Sequence, residues 1–190
     1  MANSGTSTSG NFHAVRFYRD AEGLCRIVAD FLAEGFAADQ PAIVIATPAH
    51  REGIEQQLAS KQIDVDGLSR AGKLIALDAD ETLSQFIVDG MPDSTCFKRA
   101  IVPAIERASG GSADCTVRAY GEMVDVLWKA GQTVAATRVE TLWNALANTH
   151  RFSLLCGYSM GSFYKAAAVD EICSHHSHVV SEDGHHALIS

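Results

Sequence analysis

The sequence predicts an α/β protein in three layers, with helices covering both faces of a mainly parallel central sheet. Three observations predict it. Five short apolar segments rich in Val, Ile, Leu or aromatic residues are spaced along the chain as strands would be. The stretches between them carry the 3.6-residue periodicity of half-buried helices. The two kinds alternate without interruption, and strand–helix–strand repeats favour parallel strands joined by right-handed crossovers. At 190 residues and 47% hydrophobic content, one well-buried core is within reach of a single domain.

The predicted strands are "HAVRFY" (13–18), "AIVIAT" (42–47), "KLIALDA" (73–79), "CTVRAYG" (115–121) and "FSLLCGY" (152–158). After the first strand, Leu24, Ile27, Val28, Phe31 and Leu32 share one helical face, and Val139, Leu142, Trp143 and Leu146 repeat the pattern later. Trp128 and Trp143 lie on such stripes and are expected in the core. Thr47 before Pro48 reads as a helix start, and Asp78 with Glu81 as a variant capping box. Gly90 and Gly131 read as helix stops. Pro103, inside "STCFKRAIVPAIERAS", is expected to kink or split its helix. The polar residues 1–11 and the stretch 181–190 are expected to be loose tails flanking a domain at 12–180.

Composition removes several functions. A formal charge of −8 and the absence of a clustered basic face argue against direct nucleic-acid binding. No window approaches 18 consecutive apolar residues, and "MANSGTSTSG" has neither the basic start nor the apolar run of a signal peptide, so the expected location is the cytoplasm, away from membranes. Cys25, Cys96, Cys115, Cys156 and Cys173 are odd in number and widely spaced, and read as small buried hydrophobes rather than disulfide partners.

In open parallel sheets, ligands bind beyond the carboxyl ends of the strands, where loops converge. Those ends supply Tyr18, Thr47, Asp78, Tyr120 with Glu122, and Tyr158 with Ser159. Thr47 and Asp78 read as caps. The phenols and Glu122 would line a mostly apolar pocket with a few orienting polar groups. Glu122 could also pair with Arg118 or Arg16, which are costly to bury alone. Alternation along the strand puts Arg118 and Tyr120 on one face.

"HAVRFY", "FLAEGF", "AIVIAT", "HREGIEQQL", "VRAYGEMVDVLW", "ETLWNAL", "SLLCGYSM" and "ICSHHSHV" follow one another in an order that resembles the MEDS domain, the sensory domain of DcmR type found in methanogens and methylotrophs. The resemblance spans roughly residues 12 to 180. It implies a fold similar to the RecA/KaiC ATPases and a sensory, non-enzymatic role, binding a small ligand such as a hydrocarbon derivative. Family members serve histidine kinases, anti-sigma factors and transcription regulators, so a regulatory partner protein is implied. Because no kinase core or helix-turn-helix is present, the signal is expected to pass to another chain or through a homo-oligomer. The resemblance names no particular cofactor. A hydrolysing RecA-like protein would follow its first strand with a glycine-rich loop ending in Lys-Ser or Lys-Thr, whereas here "YRDAEGLCR" has one glycine and no lysine. Glu122 therefore reads as a ligand-orienting or structural carboxylate.

The expected ligand-binding set is His13, Tyr18, Arg118, Tyr120, Glu122, Cys156, Tyr158, Cys173, His176 and His178. Within "ICSHHSHV", Cys173 and His176 are spaced i and i+3 with His178 close by, so a metal or redox sensor competes with the ligand sensor, and His13 or Cys156 could complete such a site. Two further functions compete with these: a nucleotide-binding ATPase, and an interaction module whose pocket is filled by its own side chains.

Overall fold

The computed structural model describes residues 12–162, 166–181 and 184–189. Along the chain run β1 (His13–Tyr18), α1 (Ala21–Ala37), β2 (Ala42–Ala46), α2 (Pro48–Ser60), α3 (Val65–Arg70), β3 (Leu74–Asp78) and α4 (Ala79–Ser84). A hairpin of β4 (Ile87–Val88) and β5 (Met91–Pro92) leads to α5 (Ser94–Ser109), β6 (Val117–Gly121), α6 (Met123–Lys129), α7 (Thr133–Leu146) and β7 (Phe152–Ser159). The chain closes with α8 (Ala166–Cys173), β8 (His178–Val180) and β9 (His186–Leu188).

The main sheet has the order β3-β2-β6-β7-β1-β8-β9, parallel throughout except for the β8–β9 pair. The five expected strands are five neighbours in it, from β3 at one edge to β1. Strand alternation sorts their residues onto two faces. Ala14, Val44, Tyr120 and Leu155 pack under α1 and α2, while Val15, Ile45, Ala119, Leu154 and Cys156 pack under α5, α6 and α7. The stripe on α1 is buried as its spacing requires, with Leu24, Val28 and Leu32 fully inaccessible. Each such side chain contributes about 1.5–3 kcal/mol. Trp143 is 2% exposed, with its ring edge-on to Phe97 and Phe152, and Trp128 is also buried.

Four expectations need correction. Gly90 does not stop a helix: with Asp89 it forms the two-residue turn of the β4–β5 hairpin, both at positive φ, so Asp-Gly acts as a hairpin signal. Pro103 does not split its helix; α5 runs unbroken, because Pro103 lies on the exposed face and the Arg99 carbonyl it leaves without a helical donor can turn to water. The stretch read as a loose C-terminal tail contains β9, which pairs with β8. Helix α3, capped by Asp64 accepting from the Gly67 amide at 2.8 Å, was not anticipated. The expected N-terminal tail, 1–11, lies outside the described residues.

Candidate functional site

At the carboxyl edge of the sheet, Glu122 follows β6 and is 1% exposed. One carboxylate oxygen accepts from the Thr47 amide at 2.5 Å, at the positive end of α2, and the other accepts from His50 Nδ1 at 2.6 Å and the Tyr120 hydroxyl at 3.0 Å. Burial alone would raise the pKa of Glu122, but the bonds from His50 and Thr47 hold it below the usual carboxylate range. Tyr120 is positioned by a missing side chain across the strand pair. A Cβ on Gly157 would stand 2.7 Å from the Tyr120 hydroxyl oxygen.

One helical turn on, Asp125 is also buried and equally engaged. It accepts from the Tyr18 hydroxyl at 2.8 Å and the Ser159 amide at 2.8 Å, and pairs with Lys129 at 2.7 Å. Exposed Lys129 also donates to the Tyr18 oxygen at 3.2 Å. Burial and the Asp125 carboxylate push the Tyr18 hydroxyl far up, so it stays a donor. Between β1 and α1 there are two residues, Arg19 and Asp20, and Asp20 Oδ1 caps the helix by accepting from Gly23 N at 2.6 Å. The amino end of α1, where a phosphate loop would lead, thus holds its own carboxylate.

On the opposite face, under α7, a second polar group is sealed in the core. Glu140 accepts from the Tyr158 hydroxyl at 2.7 Å and lies 3.2 Å from His13 Nε2 and 3.4 Å from His176 Nε2. The Cys156 thiol is 3.4 Å from His13 Nε2 and 3.6 Å from Glu140. Burial raises Glu140, but the imidazoles of His176 and His13 with the Tyr158 hydroxyl outweigh it and bring it down to about 2. Burial brings His176 down to about 4, against the pull of Glu140.

The expected site residues therefore divide. Tyr18, Tyr120 and Glu122 meet at the carboxyl edge. Tyr158 does not join them; two residues beyond Cys156 in β7, it projects to the other face and joins His13, Cys156 and His176. Arg118 and Arg16 do not pair with Glu122. Arg118 donates to Gln40 Oε1 at 2.8 Å and stacks 4.7 Å over Phe31, and Arg16 donates to the Val180 carbonyl at 3.1 Å. Of the expected Cys173, His176 and His178 cluster, only His176 turns inward. Cys173 is half-buried at the end of α8, and the His178 ring lies 4.9 Å from Phe12. All five cysteines are free.

Sequence reasoning missed His50, Asp125, Lys129, Glu140 and Asn144. Glu140 carried a signal: it falls within the apolar stripe of α7, where an unpaired carboxylate would cost several kcal/mol. An open cavity of about 1030 Å³ lies at the opposite, amino edge of β6 and β7, lined by Phe12, Cys115, Thr116, His150 and Arg151 among others. No helix among the described residues is long and apolar enough to cross a membrane.

The fold is similar to that of a KaiC-like protein from the hyperthermophilic archaeon Pyrococcus horikoshii OT3, with a TM-score of 0.58 at 12% identity, over 87% of this chain and 70% of that one. The architecture is RecA/KaiC-like. No curated protein matches the chain. Residues 12–177 match the model of the methanogen/methylotroph DcmR sensory domain, and the chain belongs to that family, MEDS.

Proposed function

We propose that the protein is a non-hydrolysing sensory module that binds a small, weakly polar organic molecule at the carboxyl edge of its sheet and reports occupancy to a regulatory partner protein in the cytoplasm. The observation that carries the reading is the two-residue connection between β1 and α1, capped by Asp20. A phosphate loop needs about eight residues whose amides and lysine surround the phosphates. Two residues ending in a carboxylate repel a triphosphate instead, so Glu122 has no nucleotide to act on. The ligand reading rests on the Tyr18–Asp125–Lys129 and His50–Glu122 groups, where a hydroxyl, amide or carbonyl could trade places with exposed Lys129 and shift α6. A histidine kinase, an anti-sigma factor or a transcription regulator suits the partner's role.

A second reading has its own support. Glu122 and Asp125 already find all their partners within the chain, which suits an interaction module that needs no small ligand. One experiment separates the readings. Thermal shift against a broad panel of small alcohols, amines, amides and halogenated hydrocarbons is expected to find a stabilising compound whose effect is lost in Lys129→Met. A panel with no stabilising member supports the interaction module. Mg2+-dependent ATP hydrolysis that Glu122→Gln abolishes would overturn both.

A further inference from the structure

We propose that His13, Glu140, Cys156 and His176 form a closed, four-coordinate site for a zinc-type divalent transition metal, buried between β1, β7, α7 and the end of α8. The inference is independent of the ligand reading above, since these side chains lie on the other face of the sheet.

Geometry is the first argument. The four candidate ligand atoms all lie within 4.8 Å of one another, and all four residues are buried. In a tetrahedral zinc site, bonds of about 2.0–2.3 Å require donor atoms about 3.3–3.8 Å apart along each edge. Glu140 Oε2, His13 Nε2 and Cys156 Sγ stand 3.2, 3.4 and 3.6 Å apart, close to three such edges, and His176 Nε2 lies 3.4 Å from the other carboxylate oxygen, Oε1. Ordinary hydrogen bonds do not account for all of them. His176 Nε2 has no hydrogen-bond partner among the described residues, although its side chain is fully buried and aimed at Glu140.

The outer contacts are the second argument. His176 Nδ1 donates to the Ile172 carbonyl at 2.8 Å, which leaves a lone pair on Nε2 facing the carboxylate. Likewise His13 Nδ1 donates to Asn144 Oδ1 at 2.9 Å, leaving the Nε2 lone pair directed inward. Asn144 is held in turn by donating to the His175 carbonyl at 3.0 Å. With no proton or cation between them, two imidazole lone pairs and a carboxylate converging in a dry core repel one another. A cation turns the repulsion into coordination, and imidazoles whose far nitrogens are fixed by acceptors are the usual support of a metal-bound histidine.

Charge is the third argument. With the Cys156 proton released to solvent, the thiolate and the Glu140 carboxylate balance a divalent ion, so the filled site is neutral and compatible with burial. Thiolate and imidazole donors in a tetrahedral array select zinc over magnesium or calcium. Four protein ligands leave no open position, so the ion would fasten the β1–β8 edge and the end of α8 to α7.

The test uses full-length protein purified without a histidine tag or chelator. Elemental mass spectrometry is expected to find about one zinc per chain. After chelator stripping, added Co2+ is expected to give tetrahedral visible absorption with a near-ultraviolet thiolate band, and Cys156→Ser to lose that band. Asn144→Ala should weaken zinc binding about 10- to 100-fold through the loosened His13, whereas Cys173→Ser should leave it unchanged. Should Cys156→Ser fail to fold, the stripped wild-type protein decides. Less than about a tenth of an equivalent of metal as purified, together with no Co2+ thiolate band on titration, overturns the site; so does metal retained at full affinity in His176→Gln.

Discussion

Replacing Glu122 by Gln keeps the volume of the side chain and removes only its charge and one acceptor. The carboxylate accepts three hydrogen bonds, from Thr47 N, His50 Nδ1 and Tyr120. Gln can still accept from the Thr47 amide, but its NH2 then faces His50 and Tyr120, so the imidazole must change tautomer and the phenol must rotate. A hydrogen bond to a charged group is worth about 1.5–3 kcal/mol against about 0.5–1.5 for a neutral one, so three weakened bonds cost about 3 kcal/mol. For a chain of this size that lowers the melting temperature by about 6–12 °C. The assay is urea unfolding followed by far-ultraviolet circular dichroism at pH 7. Acid supplies a second check. The folded pKa of Glu122 lies below its ordinary 4.5, so its contribution is complete above pH 4.5 and is lost as pH falls through the folded value. The gap between wild type and Gln should therefore close in acid. A difference under about 0.5 kcal/mol at pH 7, the scatter of ordinary surface substitutions, would show that the three bonds do not stabilise the fold as charged ones, as would a gap that stays constant well below pH 4.5.

Three further outcomes follow from the packing. Gly157→Ala should push Tyr120 off Glu122 and cost about 1–3 kcal/mol, while Gly121→Ala, with open space around its Cβ and an unstrained φ, should change urea stability by under about 0.5 kcal/mol. Trp143→Ala, removing a ring packed on Phe97 and Phe152, should cost about 3–5 kcal/mol by the same measurement. Pro103→Ala should stabilise α5 by about 1–3 kcal/mol, because it restores the amide that the Arg99 carbonyl lacks at an exposed position; an unchanged or lowered melting temperature would contradict the assignment of an unbroken helix there.

Much was legible in the residues alone. The five parallel strands β1, β2, β3, β6 and β7, the buried faces of α1 and α7, the two core tryptophans and the missing phosphate loop all follow from periodicity, composition and local spacing. These are properties of neighbours in the chain, and each acts within one or two turns or along one strand. The hairpin at Asp89 and Gly90 had a local signal as well; it was outweighed by an assumed helix end.

The composition of the two polar centres was decided only by tertiary structure. Tyr120 and Tyr158 both come near the carboxyl ends of neighbouring strands, yet strand register sends them to opposite faces, one to Glu122 and the other to Glu140. His13 and His176, 163 positions apart, meet because β1 is flanked by β7 and β8, and α7 brings Glu140 and Asn144 onto that face. Such meetings depend on strand order and on the phase of each helix above the sheet. Those are set by how all the apolar faces pack together, and no single stretch of sequence records them.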